Sequence, residues 1–317
     1  MPRGRHRPAG GTGRLSADGV ADRNGRPAGG YRVAVTQTLP RQTRRVDRRL
    51  VAVALAVLAA AAVVAVWWFF VTTPAGQHVD EVAYTGSRIG RSRLSEVTQS
   101  ILDVVSVPFL VLVILVTAVI AALRRQWRLA VGVGAMVAGM NLTTQLLKYQ
   151  LFTRPDLGYT DGYQENTLPS GHTTVAGSVA AAALLVAPRR SRWFVALLGA
   201  AYTGGTGIAT MANGWHRASD VVAAVLVVAA WALLAQAVAG PVEPLGPVGA
   251  VAGLLGVAGG LGAGVAAAAM LLTRGADVAD PSRSQMLIAY GGASVGVLAV
   301  VCLATCAVLL VGTRPRR

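Results

Sequence analysis

Eight apolar runs of about 20 residues, separated by short polar segments, constrain this chain more than any other feature. A run of this length is long enough to cross the hydrocarbon core of a bilayer as an α-helix. The runs cover residues 50–71, 101–123, 129–151, 171–187, 193–213, 217–239, 248–272 and 286–311. With 54% hydrophobic and 14% charged residues, the composition excludes a soluble globular core. We therefore predict an all-α fold, a polytopic membrane bundle of about eight transmembrane helices.

Positive charge is concentrated at the start of the chain and at the ends of the apolar runs. The formal net charge is +15, and 12 of the 28 arginines lie within the first 49 residues. Charge in this pattern is typical of membrane proteins, where it sets the orientation of the helices. A nucleic-acid-binding tail is disfavoured because the tail lacks interleaved aromatic residues and a folded scaffold. We predict a disordered basic cytoplasmic tail over residues 1–49 and no nucleic-acid partner.

The distribution of arginine also predicts the topology. With the tail in the cytoplasm and eight crossings, the Arg-rich segments 124–128 and 189–192 and the C-terminus all lie on the cytoplasmic side. The polar loop 148–172 and the turn that carries His216 then share the extracytoplasmic face. We expect a multi-pass protein of the plasma membrane with both termini in the cytoplasm.

The same runs divide the chain into three parts. After the tail, residues 50–240 are expected to form a six-helix membrane domain, and residues 241–317 add two C-terminal transmembrane helices. A polar connector, residues 72–100, joins the first two runs and contains both acidic and basic residues. We expect this connector to lie outside the membrane, over the surface of the bundle.

The sequence Pro169-Ser170-Gly171-His172 stands where a polar loop changes into an apolar run. The N-terminus of a helix presents free backbone N–H groups and the positive end of the helix dipole. An imidazole at the same place adds a group that can donate or accept a proton. The sequence therefore predicts an anion site at residues 170–172.

Lys148 is the single lysine among 29 basic residues. Its ammonium approaches a phosphate oxygen as a compact point charge, whereas a guanidinium presents a planar fork. Arg154 follows in the same polar segment. We interpret Lys148 as an anion ligand; the alternative is a lysine at a helix end whose ammonium reaches the membrane surface.

His216 and Asp220 are spaced i, i+4 at the start of an apolar run, so both side chains lie on one face of a helix. The carboxylate of Asp220 is then placed to accept the Nδ1 proton of His216. Nε2 is left free as a nucleophile. A purely structural pair is the alternative, but the pair is predicted to share a membrane face with the anion site.

These residues, in this order and with these intervals, resemble the type 2 phosphatidic acid phosphatase superfamily, which includes the vanadium haloperoxidases. The resemblance covers residues 148–222, about a quarter of the chain, and implies a phosphatase-like membrane domain. It is carried by Lys148 with Arg154-Pro155, by Pro169-Ser170-Gly171-His172, and by His216-x-x-x-Asp220.

The resemblance implies a role for each residue. The histidine that matches His216 attacks phosphorus and forms a phosphohistidine, and Asp220 orients it. The residue that matches His172 protonates the leaving alcohol. The remaining matches, Lys148, Arg154, Ser170 and the amide of Gly171, hold the phosphate oxygens. The resemblance implies that the phosphatase reaction needs no metal, and we expect no cofactor.

Two positions depart from the family pattern. The third motif usually begins Ser-Arg, where this chain has Ala209 and Thr210, so one phosphate-binding guanidinium is missing unless Arg217 or another residue replaces it. Loss of such a donor reduces the rate by on the order of 10²-fold. Between Lys148 and Arg154 there are five residues where the family usually has six.

The predicted position of the site favours a phosphate attached to a membrane lipid, such as phosphatidic acid, phosphatidylglycerol phosphate or an isoprenyl phosphate or diphosphate. We expect an integral-membrane lipid phosphate phosphatase, and the sequence does not select among these substrates. Two alternatives stay open. One is a bundle that binds or transports a lipid phosphate without catalysis, and the other is a phosphotransferase that uses the same site.

Overall fold

An all-helical architecture is seen in the computed structural model, which describes residues 47–89, 91, 98, 115, 116, 119, 127–159, 165–240 and 245–312. Eight α-helices are defined in this part of the chain: α1 (Arg48–Val66), α2 (Pro74–Gly86), α3 (Trp127–Leu146), α4 (Gly171–Val186), α5 (Arg192–Ala212), α6 (Ala218–Ala239), α7 (Val248–Thr273) and α8 (Arg283–Val311). Short π-helical turns, Trp67–Val71 and Leu147–Leu151, extend α1 and α3. The residues described contain no β-strand.

Six of these helices are long and apolar enough to cross a membrane. They are Arg48–Val71, Leu129–Leu151, Arg192–Ala212, Ala218–Ala239, Val248–Thr273 and Arg283–Val311. Helix α4 is a shorter apolar helix of 16 residues. The fold class is therefore confirmed as a polytopic helical membrane protein. The tail up to residue 46 and the run predicted over residues 101–123, except helical residues 115, 116 and 119, lie outside the described residues.

Capping residues set the starts of several helices. Asp47 accepts a hydrogen bond from the backbone N–H of Arg49 at 2.9 Å, so α1 begins two residues before the predicted run. Ser282 and Gln285 form a capping box at the start of α8, which begins at Arg283, three residues before the predicted run. Polar caps extend both helices beyond their apolar residues.

Helix α2 is the main difference from the sequence analysis, which treats residues 72–100 as a surface connector. Thr73 accepts from the N–H of Gly76 at 3.1 Å, and Pro74 occupies the first helical turn. The helix buries Asp80 and Glu81, which are 2% and 4% exposed. The connector therefore enters the bundle and carries carboxylates into its interior.

Helix α6 lies at the centre of the bundle. It packs against α1, α3, α4 and α8. Within its most apolar window 56% of the residues are buried inside the protein, against 17% for α7, so α7 lies on the periphery. Helices α7 and α8 pack along each other, and α8 also contacts α2 and α6. The division of the chain at residue 240 stays a prediction.

The predicted polar patches meet at one end of the bundle. The side chain of Asn166 donates to the carbonyl of Lys148 at 3.1 Å, which joins the end of α3 to the segment before α4. At the same end, the indole of Trp67 donates to the carbonyl of Thr153 at 3.1 Å. At the opposite end, Arg48 donates to the carbonyl of Leu310 at 2.7 Å. The side of the membrane that each end faces stays a prediction.

Candidate active site

Asp220, in the first turn of α6, organises the site through one carboxylate oxygen. Its Oδ2 accepts hydrogen bonds from Nδ1 of His216 at 3.0 Å and from the backbone N–H of Arg217 at 3.0 Å. The hydroxyl of Thr167 donates to the same oxygen at 2.7 Å. Asp220 is fully buried and His216 is 6% exposed. Because the carboxylate can only accept, Nδ1 carries a proton, and in the neutral imidazole the free lone pair is then on Nε2.

The turn between α5 and α6 places His216. Helix α5 ends at Ala212, and Gly214 adopts a positive φ of 69° that stops the helix. The N–H of Trp215 then donates back to the carbonyl of Thr210 at 3.0 Å. His216 follows two residues before α6 begins, close enough for its ring to reach Asp220.

Ser170 connects the Pro169-Ser170-Gly171-His172 motif to Asp220 of the His216-x-x-x-Asp220 motif. Its backbone N–H donates to the carbonyl of Asp220 at 2.9 Å, and its hydroxyl caps α4 by accepting from the N–H of Thr173 at 3.4 Å. Gly171 and His172 are the first residues of α4, so their backbone N–H groups have no acceptor within the helix. A Cβ at Gly171 would meet no other atom within 4 Å. The start of α4 therefore opens onto free space, as an anion site requires.

His172 lies beside the turn that carries His216. Its ring centroid is 5.3 Å from that of Trp215. Burial lowers the pKa of the His172 imidazole, and the proximity of His216 and Lys148 lowers it further. Lys148 lies in the π-helical turn at the end of α3, with Nζ 5.4 Å from the ring of Tyr149. The structure thus brings Lys148 and His216 within electrostatic reach of His172.

Arg154 presents unused hydrogen-bond donors. Its Nε and Nη2 atoms are buried and have no hydrogen-bond partner among the residues that the structure describes. Burial lowers the pKa of this guanidinium, and the charge of Arg217 lowers it further. The side chain of Gln77 in α2 holds the loop by donating to the carbonyl of Pro155 at 2.9 Å. Buried donors without a partner are rare in folded proteins, and an anion is the ligand that suits them.

Arg217, a possible replacement for the missing third-motif arginine, is paired with Glu81 in the structure. Its Nε and Nη2 atoms both donate to Oε2 of Glu81, at 3.0 and 2.8 Å. Burial opposes the charge of Arg217, but the carboxylates of Glu81, Asp220 and Asp80 outweigh it and raise the pKa of the guanidinium. Thr210 is fully buried, and its hydroxyl donates to the carbonyl of Gly207 at 2.7 Å.

Asp80 is a second buried carboxyl near the site. Its side chain accepts from both the backbone N–H and the hydroxyl of Ser219. Burial and the nearby charge of Asp220 raise the pKa of Asp80 to about 6. Sequence reasoning missed Asp80, Glu81 and Thr167 as site residues. Two features of the sequence could have indicated that this segment is a helix at the site. One is the pair Thr73-Pro74, which is typical of a helix start, and the other is the pair of adjacent carboxylates in a chain with only 14 acidic residues.

The fold and the site together define a class of protein: a polytopic helical membrane protein with a histidine–aspartate pair, a second histidine and basic residues at one end of its bundle. Residues 127–241 match the family model of the PAP2 superfamily. This match confirms, for residues 127–241, the family predicted from the motifs. Members of the superfamily are in general phosphoesterases.

The match runs from α3 to α6 and includes every predicted site residue from Lys148 to Asp220. It leaves out α1, α2, α7 and α8. No curated protein and no solved structure matches the chain. The role of α2 at the site is therefore a feature of this structure that the family match does not cover.

Proposed function

We propose that this protein is an integral-membrane phosphatase that hydrolyses lipid phosphate monoesters or isoprenyl phosphates and diphosphates. The observation that carries the proposal is the contact of 3.0 Å between Nδ1 of His216 and the buried carboxylate of Asp220. This contact fixes the tautomer in which Nε2 is the nucleophile, and it stabilises the positive charge that develops on the ring during attack.

The reaction proceeds in two steps. Nε2 of His216 attacks phosphorus, and a P–N bond forms as the P–O bond to the alcohol breaks. His172 donates a proton to the leaving alkoxide, which departs as the alcohol. His172, now neutral, then takes a proton from water, and the resulting hydroxide displaces phosphate from His216. Neither step requires a metal in this proposal, because the histidines supply the nucleophile and the proton transfers.

The basic residues stabilise the transferring phosphoryl group. Lys148 and Arg154 are the cations proposed to bind its equatorial oxygens, with the hydroxyl of Ser170 and the amide of Gly171. The two buried donors of Arg154, which have no hydrogen-bond partner within the described ranges, support this role. The free space beside Gly171 supports the position of the phosphate at the start of α4.

A lipid is the proposed carrier of the phosphate because the site lies at the end of a bundle of apolar helices. The head group of a bilayer lipid reaches this level while its chains stay in the hydrocarbon. The distribution of arginine supports an extracytoplasmic position for the site. The proposed localisation is the plasma membrane, with both termini in the cytoplasm.

Phosphate release by the detergent-purified protein tests the proposal. The panel contains phosphatidic acid, phosphatidylglycerol phosphate and isoprenyl phosphates and diphosphates, with chelator and no added metal, beside a His216→Ala variant. We expect the wild type to release phosphate and the His216→Ala variant to release none, while both proteins are equally monodisperse in detergent. An active His216→Ala variant would overturn the assignment of the nucleophile.

The missing third-motif guanidinium favours a second candidate, a protein that binds a lipid phosphate or transfers its phosphoryl group to an acceptor other than water. Thr210 is buried, and Arg217 is engaged by Glu81. A binding protein gives no phosphate release from any lipid that it binds. A phosphotransferase gives slow release that increases when an acceptor alcohol is supplied.

A further inference from the structure

Helix α2, which lies outside the family match, contacts the turn between α5 and α6 at two points and the first turn of α6 at a third. The phenol of Tyr84 donates to the carbonyl of Gly214 at 2.9 Å, two residues before His216. Glu81 accepts both hydrogen bonds from Arg217, the residue directly after His216. Asp80 accepts from the backbone N–H of Ser219 at 3.3 Å. The backbone on both sides of the proposed nucleophile is thus fixed by one helix.

We propose that Glu81, through Arg217, is a positioning residue for the His216 nucleophile. The carboxylate holds the guanidinium at Nε and Nη2, which fixes the rotation of the Arg217 side chain. The guanidinium carbon also lies 5.0 Å from the centroid of the Tyr84 ring. Because the N–H of Arg217 donates to Oδ2 of Asp220, a shift of Arg217 would move the oxygen that orients His216.

The burial of the pair explains why it is suited to this role. Glu81 and Arg217 are each 4% exposed, so their contact is shielded from solvent and salt. Replacement of a buried ion pair by apolar residues of similar size is often neutral for stability, so such a pair is not explained by stability alone. Fixing the geometry of a reactive turn is a role that apolar side chains would not reproduce. A misplacement of about 1 Å at a reacting group is enough to reduce a rate by on the order of 10²-fold.

The test is a double variant, Glu81→Met with Arg217→Met, which removes the pair without leaving a buried charge. The proposal predicts that this variant folds with a melting temperature close to that of the wild type, while kcat falls by about 100-fold. KM for the lipid phosphate and the inhibition constant of inorganic phosphate should change little. The single variant Glu81→Gln, which keeps one acceptor oxygen, should retain part of kcat.

His78 provides a matched control on the same helix. Its Nε2 donates to the carbonyl of Ala276 at 2.7 Å and therefore ties α2 to the loop after α7 instead of to the His216 turn. If α2 acted only by holding the bundle together, His78→Ala would reduce kcat as strongly as the double variant. The proposal predicts that His78→Ala keeps kcat near the wild-type value.

A magnetic-resonance measurement tests the same inference without catalysis. The chain has four histidines, so a protein labelled with ¹⁵N-histidine gives a simple spectrum. The Nδ1 proton of His216 should give a downfield resonance that is absent from His216→Gln. The double variant should shift or broaden this resonance, and His78→Ala should retain it.

The kinetic test rests on the proposed function, whereas the magnetic-resonance test does not. A failure of the proposed phosphatase activity can therefore be distinguished from a failure of the positioning role of Glu81. A wild type that releases no phosphate would refute the phosphatase, and the resonance would still decide the role of Glu81. A double variant that folds and keeps the wild-type resonance would overturn the positioning role. If the wild type is active and the double variant has the same kcat, the positioning role is also overturned.

Discussion

Thr167 donates a hydrogen bond of 2.7 Å to Oδ2 of Asp220, the same oxygen that accepts from Nδ1 of His216. Thr167 belongs to the loop that leads into α4, whereas Asp220 belongs to α6, so this contact joins the anion-binding segment to the proposed nucleophile. Three donors on one oxygen fix the orientation of the carboxylate. Thr167 is 5% exposed, so water has little access to replace its hydroxyl.

Thr167→Val should therefore reduce catalysis without abolishing it. The substitution keeps the shape of the side chain and removes a hydrogen bond to a charged group, which contributes about 1.5 kcal/mol or more. Because that energy corresponds to about a factor of ten in rate, kcat should fall about tenfold while KM stays close to the wild-type value. Steady-state kinetics on the best lipid phosphate measures both. Thr167→Ser should restore most of kcat, and equal losses in the two variants would speak against the hydrogen bond as the cause.

Arg154→Gln should weaken phosphate binding. The variant removes two buried donors that have no partner among the described residues, and we expect the inhibition constant of inorganic phosphate to rise by about tenfold or more. KM for the lipid phosphate should rise in parallel. Arg154→Lys keeps the charge but not the fork, so it should recover only part of the affinity.

Arg192 offers a matched control for Arg154. Its Nε and Nη2 atoms are also buried without a hydrogen-bond partner in the described part of the chain, but it starts α5 at the opposite end of the bundle. Arg192→Gln should leave the inhibition constant of phosphate unchanged. A similar rise in both variants would mean that phosphate binding responds to the bundle as a whole and not to Arg154.

Gly214→Ala should disturb the turn that carries His216. Gly214 has a φ of 69°, and a Cβ there would overlap the guanidinium of Arg91. That guanidinium is held by hydrogen bonds to the carbonyl of Ala212 at 3.2 Å and to the hydroxyl of Ser87 at 2.6 Å. Backbone strain of about 1 kcal/mol and the loss of these contacts should lower both the melting temperature and kcat.

Gly158→Ala is a control that has the backbone strain expected for Gly214→Ala but not the steric overlap. Gly158 also has a positive φ, of 81°, but a Cβ there meets no atom within 4 Å. This variant should lose only the strain energy of about 1 kcal/mol and keep its kcat. The prediction for Gly214 is wrong if the two variants have the same melting temperature and the same kcat.

The sequence predicts those parts of the molecule whose determinants are local. The length of the apolar runs predicts the membrane helices. The four-residue spacing of His216 and Asp220 predicts their contact, but His216 lies in the turn before α6 and not on the helix, so the contact also depends on the conformation of that turn. The partner of Arg217 is different. Glu81 lies 136 residues away in the chain and belongs to a segment whose polarity is typical of a loop. Only the tertiary packing of α2 against the turn brings the two together.

Thr167 is a second site residue whose partner cannot be predicted from the local sequence. It stands two residues before Pro169, next to the most specific motif of the chain, and nothing in its local pattern distinguishes it from a loop threonine. Its role depends on Asp220, which lies 53 residues further along the chain. Site residues that act through another side chain are therefore the ones that sequence reasoning misses here.

The buried carboxyl of Asp80 should make the stability of the protein depend on pH. Its pKa is about 6 in the folded protein, against an ordinary value of 3.8, because burial and the charge of Asp220 disfavour the ionised form. The folded state therefore binds the proton more tightly than the unfolded state does. This contribution to stability is fully present below about pH 4 and is lost as the pH rises through about 6, and it amounts to about 3 kcal/mol.

Asp80→Asn should remove this dependence and keep the contacts with Ser219, because the amide has an oxygen to accept from the backbone N–H and an NH₂ group to donate to the hydroxyl. The measurement is the free energy of unfolding of both proteins in detergent between pH 4 and pH 8. The variant should gain stability relative to the wild type as the pH rises, with most of the gain complete by about pH 6 to 7. A constant difference across this range would mean that Asp80 ionises in the folded protein with an ordinary pKa.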